Sequence, residues 1–151
     1  MNDMLQILLV DDNPDDRALV MRELSKEFPN SQFRHVKDLP TLISALEAGP
    51  CDVVITDYQL LWTDGITVLN AVKARRPECP VIMFTGSGSE EIAVRAMKAG
   101  LDDYVLKGPK HYARLPAAVH LALERAKLRR ALLEAQRTSS AKGQPRKRGD
   151  R

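Results

Sequence analysis

Carboxylate, hydroxyl and amine side chains stand directly after apolar runs at four points of the chain: Asp11 with Asp12, Asp57, Thr85, and Lys107. Three carboxylates held close together repel by several kcal/mol and raise one another's pKa unless a cation compensates. Mg²⁺ fits such a site, because it binds carboxylates, a backbone carbonyl and waters and shares its shell with phosphate. The Thr85 hydroxyl and the Lys107 ammonium suit a phosphoryl group. Asp57 is the carboxylate best placed to attack one as a nucleophile.

Each of these residues, taken alone, also has a purely structural interpretation. Asp57 could start a turn or cap a helix, and Asp12 could belong to the turn beside Asn13. Thr85 could be a strand-end hydroxyl and Lys107 a solvated charge. The chemical interpretation therefore depends on whether the fold brings all of them together.

The stretch that has to position Asp57 is the apolar segment 52–56. Val53, Val54 and Ile55 are consecutive large aliphatic residues without polar alternation, a pattern that is typical of a strand covered on both faces. Ligands and chemistry collect at the carboxyl ends of strands in open α/β sheets. Asp57 is expected at such an end.

The other apolar and capping patterns predict an alternation of five strands and five helices, with no internal repeat. The predicted strands are 5–10, 32–36, 52–56, 80–84 and 103–106. The predicted helices are about 14–28, 38–48, 66–75, 87–100 (from a Ser87 and Glu90 capping box) and a last one from between His111 and Pro116 to about Gln136. Right-handed crossovers then give one parallel sheet with helices on both faces. A dinucleotide-binding fold competes, but no Gly-x-Gly-x-x-Gly follows the first strand.

Composition indicates one folded domain with a basic tail. The chain has 151 residues, 44% of them hydrophobic and 28% charged. Residues 137–151 carry six basic side chains and one acid, a local charge of +5 against +3 for the whole chain, so residues 1–136 carry −2. The first apolar run is interrupted by Gln6 and ends at Asp11, which argues against a signal peptide or a membrane span. We therefore expect a cytoplasmic protein.

Cysteine and histidine usage gives no metal site. Cys51 and Cys79 are two lone cysteines, each beside the start of an apolar run. Buried reduced thiols are the favoured interpretation over a disulfide or a metal clip. His35, His111 and His120 share no ligand spacing, so zinc has no support.

With these residues in place, the sequence over about residues 4–127 resembles the receiver domain of bacterial two-component response regulators, the CheY-like family. The match is residue by residue at Asp11, Asp12, Asp57, Thr85 and Lys107. The resemblance implies a flavodoxin-like (βα)5 fold, a doubly wound parallel five-stranded sheet of strand order 2-1-3-4-5. It implies that Asp57 accepts phosphate from a histidine kinase or phosphotransfer protein. Such a protein catalyses its own phosphorylation and dephosphorylation and is not an enzyme with a separate substrate.

The resemblance also assigns a metal and a switch. Asp11, Asp12, Asp57 and the backbone carbonyl of Gln59 would be the Mg²⁺ ligands. Tyr104 aligns with the switch aromatic of the family, which turns inward as the threonine closes on the phosphoryl group. The face formed by the fourth helix, fifth strand and fifth helix would then report the change to a downstream protein target.

Two positions depart from the family pattern. Leu61 and Gly108 stand where the family usually has proline. A cis bond before Gly108 would cost about 3 kcal/mol, so Lys107 is expected to be positioned differently and switching to be slower or weaker. Loss of phosphorylation does not follow.

The last predicted helix is longer than the sheet needs and carries two apolar stripes. One consists of Leu115, Val119, Ala122, Leu123 and Ala126, and the other of Leu121, Leu128, Ala131, Leu132 and Ala135. The second stripe predicts homodimerisation or docking of a partner, with a frayed amphipathic end as the alternative. We predict a receiver domain at 1–127, a helical extension at 128–137 and a disordered basic tail at 138–151.

The leading hypothesis is a single-domain response regulator without an output domain. A nucleic-acid-associated regulator that uses the basic tail is the second, although a short basic run without aromatic residues is usually just solvated. A metal-dependent phosphatase is the third, and it would turn over a phosphate ester repeatedly. The sequence gives no sign of a membrane partner.

Overall fold

The structure, a computed structural model, describes residues 4–143 and confirms the alternating α/β organisation. Its strands are β1 (Gln6–Val10), β2 (Gln32–His35), β3 (Val53–Thr56), β4 (Val81–Thr85) and β5 (Asp103–Leu106). Its helices are α1 (Pro14–Glu27), α2 (Leu39–Ala48), α3 (Gly65–Arg75), α4 (Glu90–Lys98) and α5 (Arg114–Gly143). No helix within these residues is long and apolar enough to span a bilayer.

The five strands form one parallel sheet in the order β2-β1-β3-β4-β5, as predicted. The polar strand β2 lies at one edge, and the apolar strand β3 lies at the centre, where both of its faces are covered. Because all strands run the same way, the residues that follow β1, β3, β4 and β5 meet at one edge of the sheet, called here the carboxyl edge.

Two hydrophobic layers hold the helices on the sheet. One layer packs α2, α3 and α4 against one face through Leu42, Leu46, Leu69, Val72 and Ala96. The other packs α1 and α5 against the opposite face through Val20, Leu24, Leu115, Val119 and Ala122. Alternate strand residues contribute to the two layers, which fixes the direction in which each strand end points.

Side-chain caps define where the helices next to the carboxyl edge begin. Asn13 caps α1 by accepting hydrogen bonds from the backbone N–H groups of Asp15 and Asp16. The predicted cap of α4 at Ser87 is wrong. Ser89 caps this helix by accepting from Ile92 N, and the Ser87 backbone turns toward Thr85 instead.

Helix α5 follows the prediction at its packed end and departs from it at its far end. Leu115, Val119, Ala122 and Ala126 are buried, whereas Leu121, Leu128 and Leu132 are exposed, as the two stripes predict. The helix continues to Gly143, so the prediction of disorder from residue 138 is wrong for residues 138–143. No glycine or proline interrupts the chain between Gln136 and Gly143, and helix propagation therefore continues. The remainder of the predicted tail, 144–151, lies outside the described residues.

Candidate functional site at the carboxyl edge

Lys107 lies at the centre of the carboxyl edge and binds three carboxylates. Its Nζ lies 2.8 Å from Asp11 Oδ2, 2.8 Å from Asp16 Oδ2 and 2.7 Å from Asp57 Oδ2. These residues come from the ends of β1, β3 and β5 and from the first turn of α1, separated by as many as 96 positions in sequence. The structure therefore brings Asp11, Asp57 and Lys107 together, as the strand ends predict.

Burial and charge act against each other at this cluster. Burial disfavours the charged ammonium, but hydrogen bonds to Asp11, Asp16 and Asp57 outweigh it and raise the pKa of Lys107 above its usual value. Burial raises the pKa of Asp11, although the hydrogen bond from Lys107 opposes that rise. One lysine thus only partly compensates the carboxylates around it, and the site still favours a further cation.

The remaining bonds of these carboxylates fix their orientation. Asp57 Oδ1 accepts from the backbone N–H of Tyr58 at 2.7 Å. Asp11 Oδ1 accepts from Asn13 N at 3.0 Å, and the Asp11 carbonyl accepts from Arg17 at 2.6 Å. Asp11 and Asp57 are therefore each held by a backbone donor on one oxygen while the other oxygen faces Lys107.

Asp12 and Gln59 line the cleft of about 670 Å³ that lies in front of this cluster. Asp12 does not contact Lys107; its Oδ2 accepts a hydrogen bond from Leu61 N in the loop after β3. That loop is closed by Gly65, whose N–H donates to Tyr58 O at 2.7 Å. A Cβ on Gly65 would stand 2.6 Å from Asp57 O, so only glycine allows α3 to start this close to the phosphoryl-acceptor candidate.

Thr85 ends β4 beside the cleft but does not line it. Its side chain is fully buried (0% exposed), and its Oγ1 accepts from Ser87 N at 3.2 Å and lies 3.3 Å from Ser87 Oγ. Gly86 and Ser87 line the cleft in its place. The hydroxyl of Thr85 is thus next to the predicted site, engaged with its own loop.

Tyr104 lies in β5 behind the same loop. Its hydroxyl is buried and has no hydrogen-bond partner among the described residues. Burial, followed by the charge of Asp57, raises the pKa of Tyr104. The hydroxyl occupies the space over Gly88, where a Cβ built on that glycine would stand only 1.4 Å from Tyr104 Oη. The position of this ring therefore depends on the absence of a side chain at residue 88.

The donor set fits a hard divalent cation that keeps part of its water shell. Within residues 4–143 no group of three or more His, Cys, Asp or Glu side chains is arranged to hold a metal ion by itself. Asp11, Asp57 and Gln59 do line one open cleft together. Mg²⁺ is commonly bound by one or two carboxylates with several waters, and its chemistry matches this arrangement better than that of a metal needing a closed cage.

Sequence reasoning missed Asp16 as a member of the cluster. An acidic residue in the first turn of a helix is ordinarily explained by the helix dipole, but the carboxylate of Asp16 folds back from that turn onto Lys107. Of the two departures from the family pattern, Leu61 is 91% exposed at the cleft rim. The bond before Gly108 is trans, since the described residues contain no cis peptide; Lys107 nevertheless reaches Asp57.

The chain is similar in sequence to known signalling proteins. It matches the family described as response regulator receiver domain over residues 7–120. The nitrogen assimilation regulatory protein NtrX of Azorhizobium caulinodans is 35% identical over 130 residues, covering 85% of this chain and 28% of NtrX. The response regulator protein PilR of Pseudomonas aeruginosa is 34% identical, covering 77% of this chain and 25% of PilR. The chain thus spans about a quarter of the length of these relatives.

Solved structures share its fold. The receiver domain of NtrX from Brucella abortus has a TM-score of 0.70 at 35% identity, covering 78% of this chain and 98% of that one. A response regulator receiver domain protein from Clostridium thermocellum has a TM-score of 0.70 at 29% identity, covering 82% of this chain and 98% of that one. Each match includes nearly the whole of a separately solved domain.

Proposed function

Because the chain belongs to the family of response regulator receiver domains of two-component systems, we propose that Asp57 is its phosphoacceptor. The observation that carries the proposal is the contact of Lys107 Nζ with both Asp57 and Asp11, at 2.7 and 2.8 Å. A lysine held between two strand-end carboxylates at an open cleft is placed to meet a phosphoryl group that arrives on Asp57.

The reaction follows from the groups around Asp57. A carboxylate oxygen of Asp57 attacks phosphorus, an O–P bond forms, and the bond from phosphorus to the donor nitrogen or oxygen breaks. The donor class is a phosphohistidine of a kinase or phosphotransfer protein, or a small acyl phosphate. Lys107 offsets the negative charge of the phosphoryl oxygens, and Tyr58 N holds the other Asp57 oxygen in place. The chain then catalyses its own dephosphorylation: water attacks the same phosphorus, the bond from phosphorus to the Asp57 oxygen breaks, and inorganic phosphate leaves.

Mg²⁺ would be held by Asp11, Asp12, Asp57 and the Gln59 carbonyl, and it would neutralise charge on the transferring group. Asp11 is preorganised for this role by its bond from Asn13 N. Asp12 Oδ2 accepts a hydrogen bond from Leu61 N at the rim of the cleft, so Asp12 would hold the cation through water, whereas the other three groups would bind it directly.

Switching is proposed to run through Thr85 and Tyr104. A phosphoryl group on Asp57 would draw the Thr85 hydroxyl away from Ser87, and the loop that contains Gly88 would move with it. Tyr104 packs on that loop, so its position depends on the same movement. Exposed apolar side chains on α4 and β5, at Val94, Met97 and Leu106, give a downstream protein target a surface to bind.

The test is incubation of the purified chain with acetyl phosphate, followed by intact mass measurement. With Mg²⁺ we expect a gain of about 80 Da that chelator abolishes. Asp57→Asn should gain nothing, whereas Asp52→Asn, which changes an aspartate at the opposite edge, should gain the same mass. Labelling of Asp57→Asn, or labelling that is independent of Mg²⁺, would contradict the proposal. Continuous release of phosphate without retained label would favour a phosphatase.

The exposed stripe of α5 is proposed to pair with a second copy of the chain. Leu121, Leu128 and Leu132 are all exposed on a helix that extends past the sheet. Sedimentation of the Leu128→Glu, Leu132→Glu double variant tests this, and an unchanged mass would remove the idea. The nucleic-acid alternative rests on basic residues most of which lie beyond residue 143, so the structure adds no support for it.

A further inference from the structure

The two cysteines of the chain lie side by side at the edge of the sheet opposite the cleft. Cys51 lies two residues before the first residue of β3, and Cys79 lies two residues before the first residue of β4. Because these strands are neighbours, their entrances meet although 28 positions separate the cysteines in sequence. The two Sγ atoms are 3.3 Å apart, and both thiols are free.

The backbone holds the two strand entrances next to each other. Val54 N donates to Pro80 O at 3.0 Å, so the strand entrances are held at the separation of hydrogen-bonded strands, about 4.8 Å. Disulfides span Cα separations of about 4.4–6.8 Å, with an S–S bond of about 2.0 Å. The sulfurs therefore need to approach by roughly 1.3 Å, a movement on the scale of a side-chain rotation.

An opening leads to the pair. Both cysteines line a cavity of about 140 Å³ whose wall includes Arg76 and Arg130. Cys51 is half-buried, while Cys79 is only 2% exposed. A small oxidant in the cavity therefore meets the Cys51 sulfur first, and Cys79 is the buried partner that stands behind it.

We propose that Cys51 and Cys79 form a reversible oxidation site that closes to an intramolecular disulfide when the chain meets a peroxide. The Cys51 sulfur attacks the peroxide O–O bond and becomes a sulfenic acid, releasing one water. The Cys79 sulfur then attacks Cys51, the S–S bond forms, the S–O bond breaks, and the hydroxyl leaves as a second water with the Cys79 proton. Two thiols are oxidised and one peroxide is reduced.

The hydrogen bond between the thiols agrees with this order of attack. The Cys79 thiol donates to Cys51 Sγ. That bond and burial raise the pKa of Cys79, which disfavours its thiolate and therefore a direct attack of Cys79 on the peroxide. The disulfide would tie the entrances of the two strands whose far ends carry Asp57 and Thr85.

The experiment treats the full chain with equimolar hydrogen peroxide, alkylates with iodoacetamide and measures intact mass. We expect a loss of about 2 Da, no alkylation, a Cys51–Cys79 cross-linked peptide, and recovery of two alkylatable thiols with dithiothreitol. Cys51→Ser and Cys79→Ala should each abolish the loss. If Cys79→Ala fails to fold because this position is buried, Cys51→Ser alone tests the proposal. The half-buried side chain at position 51 can be changed with less effect on the core.

Three outcomes would overturn the proposal: two thiols that stay alkylatable, stepwise gains of about 16 Da without cross-linking, or disulfides only between chains. Phosphorylation of Cys51→Ser by acetyl phosphate should be unchanged. The oxidation site and the phosphoacceptor site can therefore fail independently.

Discussion

The two edges of the central sheet carry the same kinds of side chain but use them differently. At the edge where strands begin, Asp52 Oδ2 accepts from Gln6 N at 2.7 Å and Asp102 Oδ2 accepts from Val81 N at 2.8 Å. Lys73 completes that edge by donating to Asp102 at 3.3 Å and to the Cys79 carbonyl at 2.9 Å. These charges satisfy backbone groups and each other.

At the carboxyl edge the charges are not balanced. Asp11, Asp16 and Asp57 share a single lysine, and Asp12 stands at the rim of the same cleft. An uncompensated cluster costs stability, so its presence indicates a function that uses the excess negative charge. The comparison teaches that residue type alone does not distinguish an aspartate that binds backbone groups from one that lies in an unbalanced cluster, whereas its set of partners does.

Replacing the lysine at each edge should give the largest contrast. We expect Lys107→Met to slow phosphorylation of Asp57 by acetyl phosphate roughly 10–100-fold, because the charge that meets the phosphoryl group is lost. Lys73→Met should leave the rate within about twofold. Initial rates of the mass gain measure both variants. An unchanged phosphorylation rate in Lys107→Met, or an equally slow rate in Lys73→Met, would contradict the proposed difference between the two edges.

The next contrast is in the free energy of unfolding, measured by urea denaturation in chelator. Asp102→Ala should lose roughly 2–3 kcal/mol, because a buried Val81 N–H is left without its partner and the Lys73 ammonium loses its counter-charge. Asp57→Ala should lose much less or gain stability, since it relieves repulsion with Asp11. Similar losses in both variants would mean that both edges are structural.

A substitution at Gly88 should have a smaller effect, and it separates phosphorylation of Asp57 from the position of the Tyr104 ring. Gly88→Ala should displace the Tyr104 ring, because the new Cβ would occupy the place of its hydroxyl. We expect Tyr104 to be nitrated several-fold faster by tetranitromethane, while phosphorylation of Asp57 continues. Gly49→Ala is the matched control, since a Cβ there meets no atom within 4 Å. An unmoved, protected Tyr104 in Gly88→Ala would contradict the role given to Gly88.

The smallest expected effect is the pH dependence that Asp11 adds to stability without metal. Because burial raises the pKa of Asp11 above 3.8, the folded chain binds this proton more readily than the unfolded chain. The resulting stabilisation is complete below pH 3.8 and is lost as the pH rises through the raised pKa of Asp11. In chelator, the free energy of unfolding of wild type relative to Asp11→Asn should therefore increase on acidification. A relative decrease would show that Asp11 is not held in this environment.

The sequence sufficed for the parts of the site that depend on strand order. Apolar runs place Asp11, Asp57 and Lys107 at strand ends, and parallel connection brings those ends together. It did not reveal Asp16, because its contact depends on how the first turn of α1 is oriented. It did not reveal the proximity of Cys51 and Cys79 either. The predicted strand order already placed β3 beside β4, but the two cysteines are 28 positions apart and were interpreted as separate lone thiols.

Local signals were ambiguous where two choices stood side by side. Ser87 and Ser89 both precede α4, and the loop geometry at Thr85 decides that Ser89 is the cap. The end of α5 was placed too early because the basic run from residue 138 was interpreted as a disordered tail, although no glycine or proline interrupts the helix between Gln136 and Gly143. The predicted Mg²⁺ ligands and the switch role of Tyr104 stay predictions.

The most direct test of the central claim is an anomalous difference map from crystals of the chain soaked in Mn²⁺, which binds the same oxygen ligands as Mg²⁺. The account predicts one peak at the carboxyl edge, within about 2.5 Å of Asp11, Asp57 and the Gln59 carbonyl, and none beside Asp52 or Asp102. Absence of that peak, or a peak at the opposite edge, would contradict it.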